Sequence, residues 1–243
     1  MWPWRRREAI LMSQIRLNKF LAERLGVSRR EADDLIAAGK ILVNSTPVSL
    51  GARVDENDKV CYNKKIIPFE VKYTYLAMNK PVGYVCSRRS ANGAPTIYEL
   101  LPEKWAGSLK TVGRLDKDSS GLILLTNDGD FAFRMTHPKF LKEKVYEVFL
   151  DHDLAPLHQQ EISDFGVVLE DGVSRFLVAR DERFSGKTDE RRHFVVTLGE
   201  GRNRQIRRTF GALGYTVLEL HRTQFGKWGL GELKPGEFVE FLP

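Results

Sequence analysis

Six short runs of strand type between residues 73 and 241 constrain the fold more than any other feature of this sequence. They are rich in the β-branched and aromatic residues that favour strands, and they cover 73–78, 121–126, 144–150, 176–179, 194–198 and 238–241. Helical spacing of apolar residues is found in this part at 96–101, 156–165 and 205–213. Many strands with few helices and long connections predict an α+β domain around a mostly antiparallel mixed sheet, not a doubly wound α/β fold.

The front of the chain has a different pattern. Apolar residues of 17–25 recur at helical spacing, and Gly26 follows as a stop signal. Ser28 and Glu31 have the spacing of a capping box, which predicts a second helix, and the segment 41–45 is typical of a hairpin. We therefore expect an N-terminal extension at 1–14, a small helical and hairpin domain at 15–62, a polar linker at 63–72 and the larger domain at 73–243.

Basic residues outnumber acidic ones by 38 to 32, which gives a net charge of +6. A basic surface attracts phosphates, so the position of the cations matters. Five of them lie where the two front helices could share a face: Arg16, Lys19, Arg29, Arg30 and Lys40. Cations near helix N-termini suit the phosphates of a nucleic acid, whereas a merely solvated surface is the alternative, and spacing leaves both open.

Several classes of protein are disfavoured by what the sequence lacks. Two cysteines, Cys61 and Cys86, are too few for a disulfide framework and suit a reducing cytoplasm. No run approaches the roughly 20 apolar residues of a membrane span. The P-loop, dinucleotide-binding, serine-hydrolase and zinc-protease motifs do not occur, and the histidines lack metal-ligand spacing. We expect a cytoplasmic protein with no metal, cofactor or membrane, whose chemistry rests on a carboxylate if it is an enzyme.

The segment 113–122 places two carboxylates, two cations and two hydroxyls directly before an apolar strand. If it enters the strand extended, Arg114 and Asp116 point the same way. Asp116 then lies between apolar neighbours near a guanidinium, which suits a nucleophile or base. A solvated surface turn is the competing interpretation. A calcium loop is disfavoured, because Asn127 stands where an EF-hand needs a bidentate Glu.

A second polar cluster, 199–208, opens the helix predicted at 205–213. It has four arginines within seven residues: Arg202, Arg204, Arg207 and Arg208. Their mutual repulsion would be relieved by an anionic partner, although charge runs are usually solvated helix faces. The apolar pair Ile206 and Phe210 favours a packed, oriented helix, so Arg204 and Arg208 are candidate substrate-binding residues.

Several of these segments resemble known families. Residues 16–21, 28–32 and 39–44 resemble the small RNA-binding domain first recognised in ribosomal protein S-four. The segment 113–122 resembles the signature of pseudouridine synthases, and further motifs of that family are similar to 79–84, 144–148 and 201–208. The order of these motifs is similar to that of the RsuA/RluB/RluF branch, which modifies ribosomal RNA.

The resemblance implies the pseudouridine synthase fold and the isomerisation of a specific uridine in ribosomal RNA without a cofactor. It implies that Asp116 is the essential carboxylate, that Tyr146 stacks on the target uracil and that Arg207 pairs with Asp116. It further implies that Ile206 lines the pocket and that Arg114 occupies the gap left by the flipped nucleotide.

The target subunit and the activity itself leave alternatives open. Residues 81–87, 95–98 and 220–222 are more similar to the small-subunit enzyme, and residues 117–119 and 204–207 to large-subunit relatives. The expectation leans to small-subunit RNA, within a precursor or assembly particle, and to a monomeric protein. The alternatives are a non-catalytic RNA-binding protein with a retired synthase domain, and a glycosidase with Asp118 as its second carboxylate.

Overall fold

The structure is a computed structural model that describes residues 14–88, 90 and 93–243. The chain divides into two compact units, the first ending at Tyr73 and the second running from Thr74 to Pro243. The expected extension 1–14 lies outside the described residues except for Gln14. The boundaries expected from the sequence remain predictions, and each unit is described by itself.

The first unit consists of two helices and two small sheets. Its helices are α1 (Leu17–Leu25) and α2 (Arg29–Ala37), and its strands are β1 (Ile15–Arg16), β2 (Ile41–Val43), β3 (Thr46–Pro47), β4 (Arg53–Val54), β5 (Val60–Tyr62) and β6 (Lys65–Ile66). Gly26 ends α1 in the left-handed conformation, at φ 70°. The capping box is present: Ser28 Oγ accepts from the Glu31 amide at 3.1 Å, and the Glu31 carboxylate accepts from the Ser28 amide at 2.7 Å.

The structure differs from the expected linker at 63–72. Strand β6 pairs with β5, and Ile67 is buried in the core of the first unit. The Phe69 ring lies 4.4 Å from the ring of Phe20, and Arg24 donates to the Phe69 carbonyl. The segment therefore packs onto the first unit, because Ile67 and Phe69 bury apolar surface there. The polar residues at its start made it resemble a linker in the sequence.

The second unit contains the larger sheet. Its strands are β7 (Tyr75–Lys80), β8 (Lys110–Val112), β9 (Ser120–Thr126), β10 (Lys144–Leu150), β11 (Val167–Leu169), β12 (Gly172–Ser174), β13 (Leu177–Arg180), β14 (His193–Leu198), β15 (Val217–Phe225), β16 (Trp228–Gly229) and β17 (Phe238–Glu240). Its α-helices are α3 (Glu103–Ala106), α4 (Gly129–Thr136), α5 (Pro156–Gln160) and α6 (Gln205–Ala212). The helix expected at 96–101 is a 3₁₀ turn, Ile97–Leu100, and α5 continues into a π-helical turn, Glu161–Phe165.

The large sheet has the strand order β13-β14-β10-β15-β9-β7-β17, with β16 on β15 and β8 on β9. Its pairs are antiparallel except for β9 with β15, which run parallel. Helices pack on both faces, since α6 belongs to one apolar cluster and α4 to another. This confirms the α+β class and the mostly antiparallel mixed sheet.

Strand β9 is buried on both faces, which explains the uninterrupted apolar run at its centre. Ile123 and Leu125 belong to the cluster that contains Phe210 of α6. Leu122 and Leu124 belong to the cluster on the other face, with α4. A strand covered on both sides has no polar face to alternate with. Strand β9 is therefore a rigid support for the polar loop that precedes it.

The parallel contact between β9 and β15 depends on Gly121. Its φ is +99°, and a Cβ there would lie 2.3 Å from the carbonyl oxygen of Arg222, its register partner. We expect Gly121→Ala to lower the free energy of unfolding by about 2–3 kcal/mol, because backbone strain and overpacking act together. Gly211→Ala, in a helix with open space around it, is the matched control and leaves stability unchanged or slightly higher. Urea unfolding followed by tryptophan fluorescence measures both, and a wild-type midpoint for Gly121→Ala would contradict this interpretation.

Candidate active site

A cavity of about 370 Å³ opens in the second unit beside the start of β9. Its walls come from the loop 113–119, the end of α4, strands β10 and β15, and the segment 198–206. Five of the residues predicted from the sequence line it: Arg114, Asp116, Tyr146, Arg204 and Ile206. Arg207 and Arg208 are not among its lining residues, and the five predicted cations of the front helices belong to the other unit.

Backbone contacts hold the loop that carries Asp116. Arg114, Leu115 and Asp116 all line the cavity, and Leu115 is the buried one of the three. The fully buried Lys80, at the end of β7, donates from Nζ to the Ser119 carbonyl at 2.6 Å. Burial lowers the pKa of this ammonium, and nearby acidic groups partly offset the effect. The loop is thus fixed at its β9 end, with the Asp116 side chain one-third exposed.

The cation nearest to Asp116 differs from the one expected. Arg204 Nη1 lies 3.5 Å from Asp116 Oδ2, whereas Arg207 Nε lies 3.3 Å from Asp118 Oδ2. Arg207 also donates to the carbonyls of Asp118 and Val217, at 2.9 and 2.5 Å. The first turn of α6 aims the Arg207 guanidinium at these backbone oxygens, while the charge of Asp116 still acts on it. The pairing of Arg207 with Asp116 stays a prediction.

Arg204 takes its place through an unusual backbone conformation. It precedes α6 in the left-handed region, with φ 47°, which is uncommon for a residue with a side chain. Its guanidinium donates to both carboxylate oxygens of Asp118, at 3.1 and 3.0 Å. Partial burial of Asp118 opposes its ionisation, but the hydrogen bond from Arg204 and the charges of Arg207 and Arg204 outweigh it, so its pKa lies below the ordinary value. Two carboxylates and two guanidiniums thus form one compact network at the cavity wall.

Arg208, predicted to bind substrate, is engaged elsewhere. It forms a two-point ion pair with Asp171, with distances of 3.0 and 2.8 Å. Arg202 donates to the same carboxylate at 3.1 Å and to the Gly172 carbonyl at 3.2 Å. These two arginines hold the β11–β12 turn against α6, so only part of the cluster faces the cavity. The repulsion noted in the sequence is relieved by acids of the chain itself.

Tyr146 forms the apolar floor of the cavity. It lies on β10 with 8% of its surface exposed, and Ile206 and Leu220 line the cavity with it. Its hydroxyl lies 3.5 Å from Nη1 of Arg222. A buried aromatic ring beside apolar side chains offers a flat surface for a planar ligand.

Sequence reasoning missed Arg222 and Lys144 as lining residues. Arg222 is 1% exposed. Its Nε donates to the Leu122 carbonyl at 2.7 Å, and Nη2 has no hydrogen-bond partner within the described chain. A buried donor without a partner is rare, and the residue that carries it lines the cavity. The sequence feature that could have indicated this role is the position of Arg222 two residues after Leu220, which places both side chains on one face of a strand.

Lys144 links β10 to the segment 198–206 at the cavity. Its Nζ donates to the carbonyl of Lys142 at 3.3 Å and to that of Glu200 at 3.1 Å. Burial lowers the pKa of this ammonium to about 8, the charge of Arg222 adds to the shift, and Glu200 opposes it. The sequence feature that could have indicated Lys144 is its position two residues before Tyr146, on the same face of β10.

The described residues contain no group of three or more His, Cys, Asp or Glu side chains arranged to hold a metal ion. No helix in the same part of the chain is both long and apolar enough for a membrane span.

Comparison with known proteins gives consistent matches. The model of the RNA pseudouridylate synthase family matches residues 74–212, and that of the S4 domain matches residues 15–60. The ribosomal small subunit pseudouridine synthase A of Pasteurella multocida is 35% identical, over 92% of this chain and 94% of its own length. The ribosomal large subunit pseudouridine synthase B of Pseudomonas aeruginosa is 37% identical, over 93% of this chain and 59% of its own. A crystal structure of a pseudouridylate synthase has a TM-score of 0.66 at 30% identity and covers 94% of this chain and 96% of its own. These matches confirm both resemblances inferred from the motifs.

We expect the Lys144 ammonium to lose its proton near pH 8, because burial and Arg222 both disfavour its charged form. The cavity then carries this positive charge below that pH and loses it as the pH rises through 8. Lysine ¹³Cε shifts of the labelled protein, followed from about pH 6 to about pH 11, measure the titration. The resonance absent from Lys144→Arg identifies the residue, and a midpoint above about 10 would contradict the burial argument.

Proposed function

Because the chain belongs to the RNA pseudouridylate synthase family, we propose that it isomerises a specific uridine of ribosomal RNA, with Asp116 as the essential carboxylate. The observation that carries the proposal is the cavity in which Asp116, Tyr146 and Ile206 lie together. The named relatives support ribosomal RNA as the substrate class, since two of them are ribosomal pseudouridine synthases.

The reaction explains the need for such a cavity. The bond from the sugar to nitrogen one breaks, the uracil turns while it is held, and a new bond forms through carbon five. A proton leaves carbon five and a proton is gained at nitrogen one, so the atoms balance without a cofactor. Water must be kept from the separated uracil and sugar. The apolar floor formed by Tyr146, Ile206 and Leu220 serves that requirement.

Tyr146 provides the surface on which the uracil is held. Swinging a base out of its stack costs a few kcal/mol, and stacking on an aromatic ring returns about 1–3 kcal/mol. Because the ring is packed in β10, little of its freedom is lost when the base arrives. Asp116 borders the same cavity, as the reaction requires of a carboxylate that acts beside a base held on Tyr146.

Cations around the cavity would hold the rest of the nucleotide. Arg114, at the exposed side of the loop, would enter the gap that the flipped base leaves. Lys144, which also lines the cavity, adds a charge that suits a phosphate. Arg204 holds Asp116 from the other side, the role expected earlier of Arg207.

The first unit would grip RNA through its exposed cations. Arg29 and Arg30 are exposed at the start of α2, and Arg29 also donates to Asn18 of α1 at 3.2 Å. Arg16 and Lys40 are exposed as well. Cations near a helix N-terminus bind phosphates through charge and the helix dipole.

We further propose that the target lies in small-subunit RNA, on the basis of the motifs at 81–87, 95–98 and 220–222. Relatives carry both small- and large-subunit names, so the target is decided by experiment. Mapping pseudouridine in ribosomal RNA from cells with and without the gene identifies the uridine, and an unchanged map in both subunits would refute the proposal. A substrate within an assembly particle and a monomeric protein stay predictions.

Asp116→Asn should abolish modification, because it removes the ionisable oxygen and changes the side chain by a single group. RNA affinity should stay within about threefold, because the substitution removes no contact to a phosphate, and phosphate contacts dominate the affinity. Asp153→Asn, at an exposed ion pair with Arg191, is the matched control and keeps full activity. Formation of pseudouridine in the mapped RNA fragment is the measurement, and a normal rate for Asp116→Asn would refute the assignment.

Arg29→Ala combined with Arg30→Ala should weaken RNA binding and reduce its salt dependence. Each lost phosphate contact lowers the slope of log affinity against log salt by about 0.7–0.9. The matched control is Arg180→Ala combined with Lys187→Ala, two exposed cations of the second unit. Filter binding at several salt concentrations measures the slopes, and equal slopes for both double variants would show that the front cations are only solvated.

A further inference from the structure

An exposed group of aromatic side chains lies at the end of α4 and in the 3₁₀ turn that follows it, Pro138–Phe140. The Phe133 side chain is 46% exposed, and its ring packs edge-on against Phe140 at 5.8 Å and lies 4.7 Å from His137. Lys139 Nζ lies 4.7 Å from the Phe140 ring centre and 5.3 Å from that of Phe133. We name Phe133, His137, Lys139 and Phe140 the aromatic ridge.

The aromatic ridge is continuous with the cavity. Thr136 and Pro138, which lie between its members in the sequence, are cavity-lining residues. Phe133 and Thr136 are three residues apart and share a side of α4. The Thr136 methyl group lies 3.6 Å from the position of a Cβ on Gly113, the residue before Arg114. The ridge thus begins beside the loop that carries Arg114 and Asp116.

The aromatic ridge is held rigidly from below. Asp128 caps α4 by accepting from the amides of Asp130 and Phe131, each at 2.9 Å. Phe131 and Met135 are buried under the sheet on the opposite side of the helix. A rigid, partly exposed aromatic surface loses little freedom when a flat ligand stacks on it.

The chemistry of the ridge fits a nucleobase and its phosphate. Half-exposed phenylalanine rings offer stacking to any base, independent of sequence, and Lys139 beside them can meet the backbone phosphate. Arg134, which is exposed on the same helix, adds a second cation. A nucleotide next to one held in the cavity is covalently tied to it, so it has to cross the cavity rim.

We propose that the aromatic ridge binds the base that flanks the target uridine in the RNA chain, as a second base site of the enzyme. This rests on the proposed function, because the flanking base is defined by the uridine in the cavity. Phe133 stacks on the base, Phe140 supports Phe133 from the side, and Lys139 pairs with the phosphate that follows.

Phe133→Ala tests the stacking on the RNA stem-loop that contains the mapped uridine. We expect the KM to rise about fivefold or more, the loss of one stacked base, while kcat stays within about twofold. Phe133→Tyr should restore the KM. Phe165→Ala, an aromatic side chain that is 74% exposed and does not line the cavity, is the matched control and leaves the KM unchanged.

Removing the base from the RNA gives an independent comparison. With an abasic nucleotide at the flanking position, the KM of the wild type should rise by the same factor as the KM of Phe133→Ala rises on intact RNA. The KM of Phe133→Ala should be no higher on the abasic RNA than on intact RNA. If the substitution and the abasic nucleotide raised the KM independently, so that their effects multiplied at both flanking positions, the proposal would be overturned. A KM for Phe133→Ala equal to that of Phe165→Ala would overturn it as well.

Lys139→Ala keeps the rings and tests the phosphate contact. It should reduce the salt slope of RNA binding by about 0.7. Lys187→Ala is the matched control, since Lys187 Nζ also lies over a phenylalanine, 4.4 Å from the Phe184 ring. Wild-type protein that modifies no ribosomal RNA would refute the proposed function, whereas active wild type with ridge variants that behave like their controls would refute this inference alone.

Discussion

The parallel contact between β9 and β15 determines where the site can form. It places Ser120 and Gly121 beside His221 and Arg222, in a sheet whose other pairs are antiparallel. The loop with Asp116 enters β9 at this point, so it lies next to the strand that carries Leu220 and Arg222. Strand β10 pairs with the other edge of β15, which brings Tyr146 to the same cavity. One close backbone approach, possible because residue 121 has no side chain, thereby assembles residues that are far apart in the sequence.

The positive charge around the cavity is mostly organised by the protein itself. Arg207 and Arg208 are bound by Asp118 and Asp171, and Arg222 is inside the sheet. Such pairs fix side-chain positions and leave fewer cations to attract a polyanion. The arginines of 202–208 therefore act mainly as a framework, with Arg204 as the member that reaches Asp116. Because most of these arginines are paired with acidic residues of the chain, their mutual repulsion is reduced, and the cluster can lie beside a cavity with an apolar floor.

The sequence predicted the fold class, strands such as β9, β10 and β14, helix α6 and the meeting of Asp116 with Tyr146 and Ile206. It did not predict β15, because a buried arginine and exposed Glu219 and Gln224 break the apolar alternation that marks a half-buried strand. It also missed α4, whose first residues, Gly129 and Asp130, are weak helix formers. The ion pair of Arg204 with Asp116 was not predicted either, since a choice among closely spaced arginines depends on backbone conformation, here the left-handed Arg204.

Energetics separate the tasks of the two units. Flipping a base costs a few kcal/mol, and in the proposed function stacking on Tyr146 would return about 1–3 kcal/mol, so the cavity alone would roughly break even. Net affinity must then come from contacts outside it. Phosphate contacts supply affinity without sequence information, which suits the exposed cations of α2. Discrimination among uridines instead requires contacts made only when the right base has entered the cavity. A rim that engages the neighbouring nucleotide would contribute to that discrimination, because the neighbour is covalently joined to the uridine and is brought to the rim when the uridine is in the cavity.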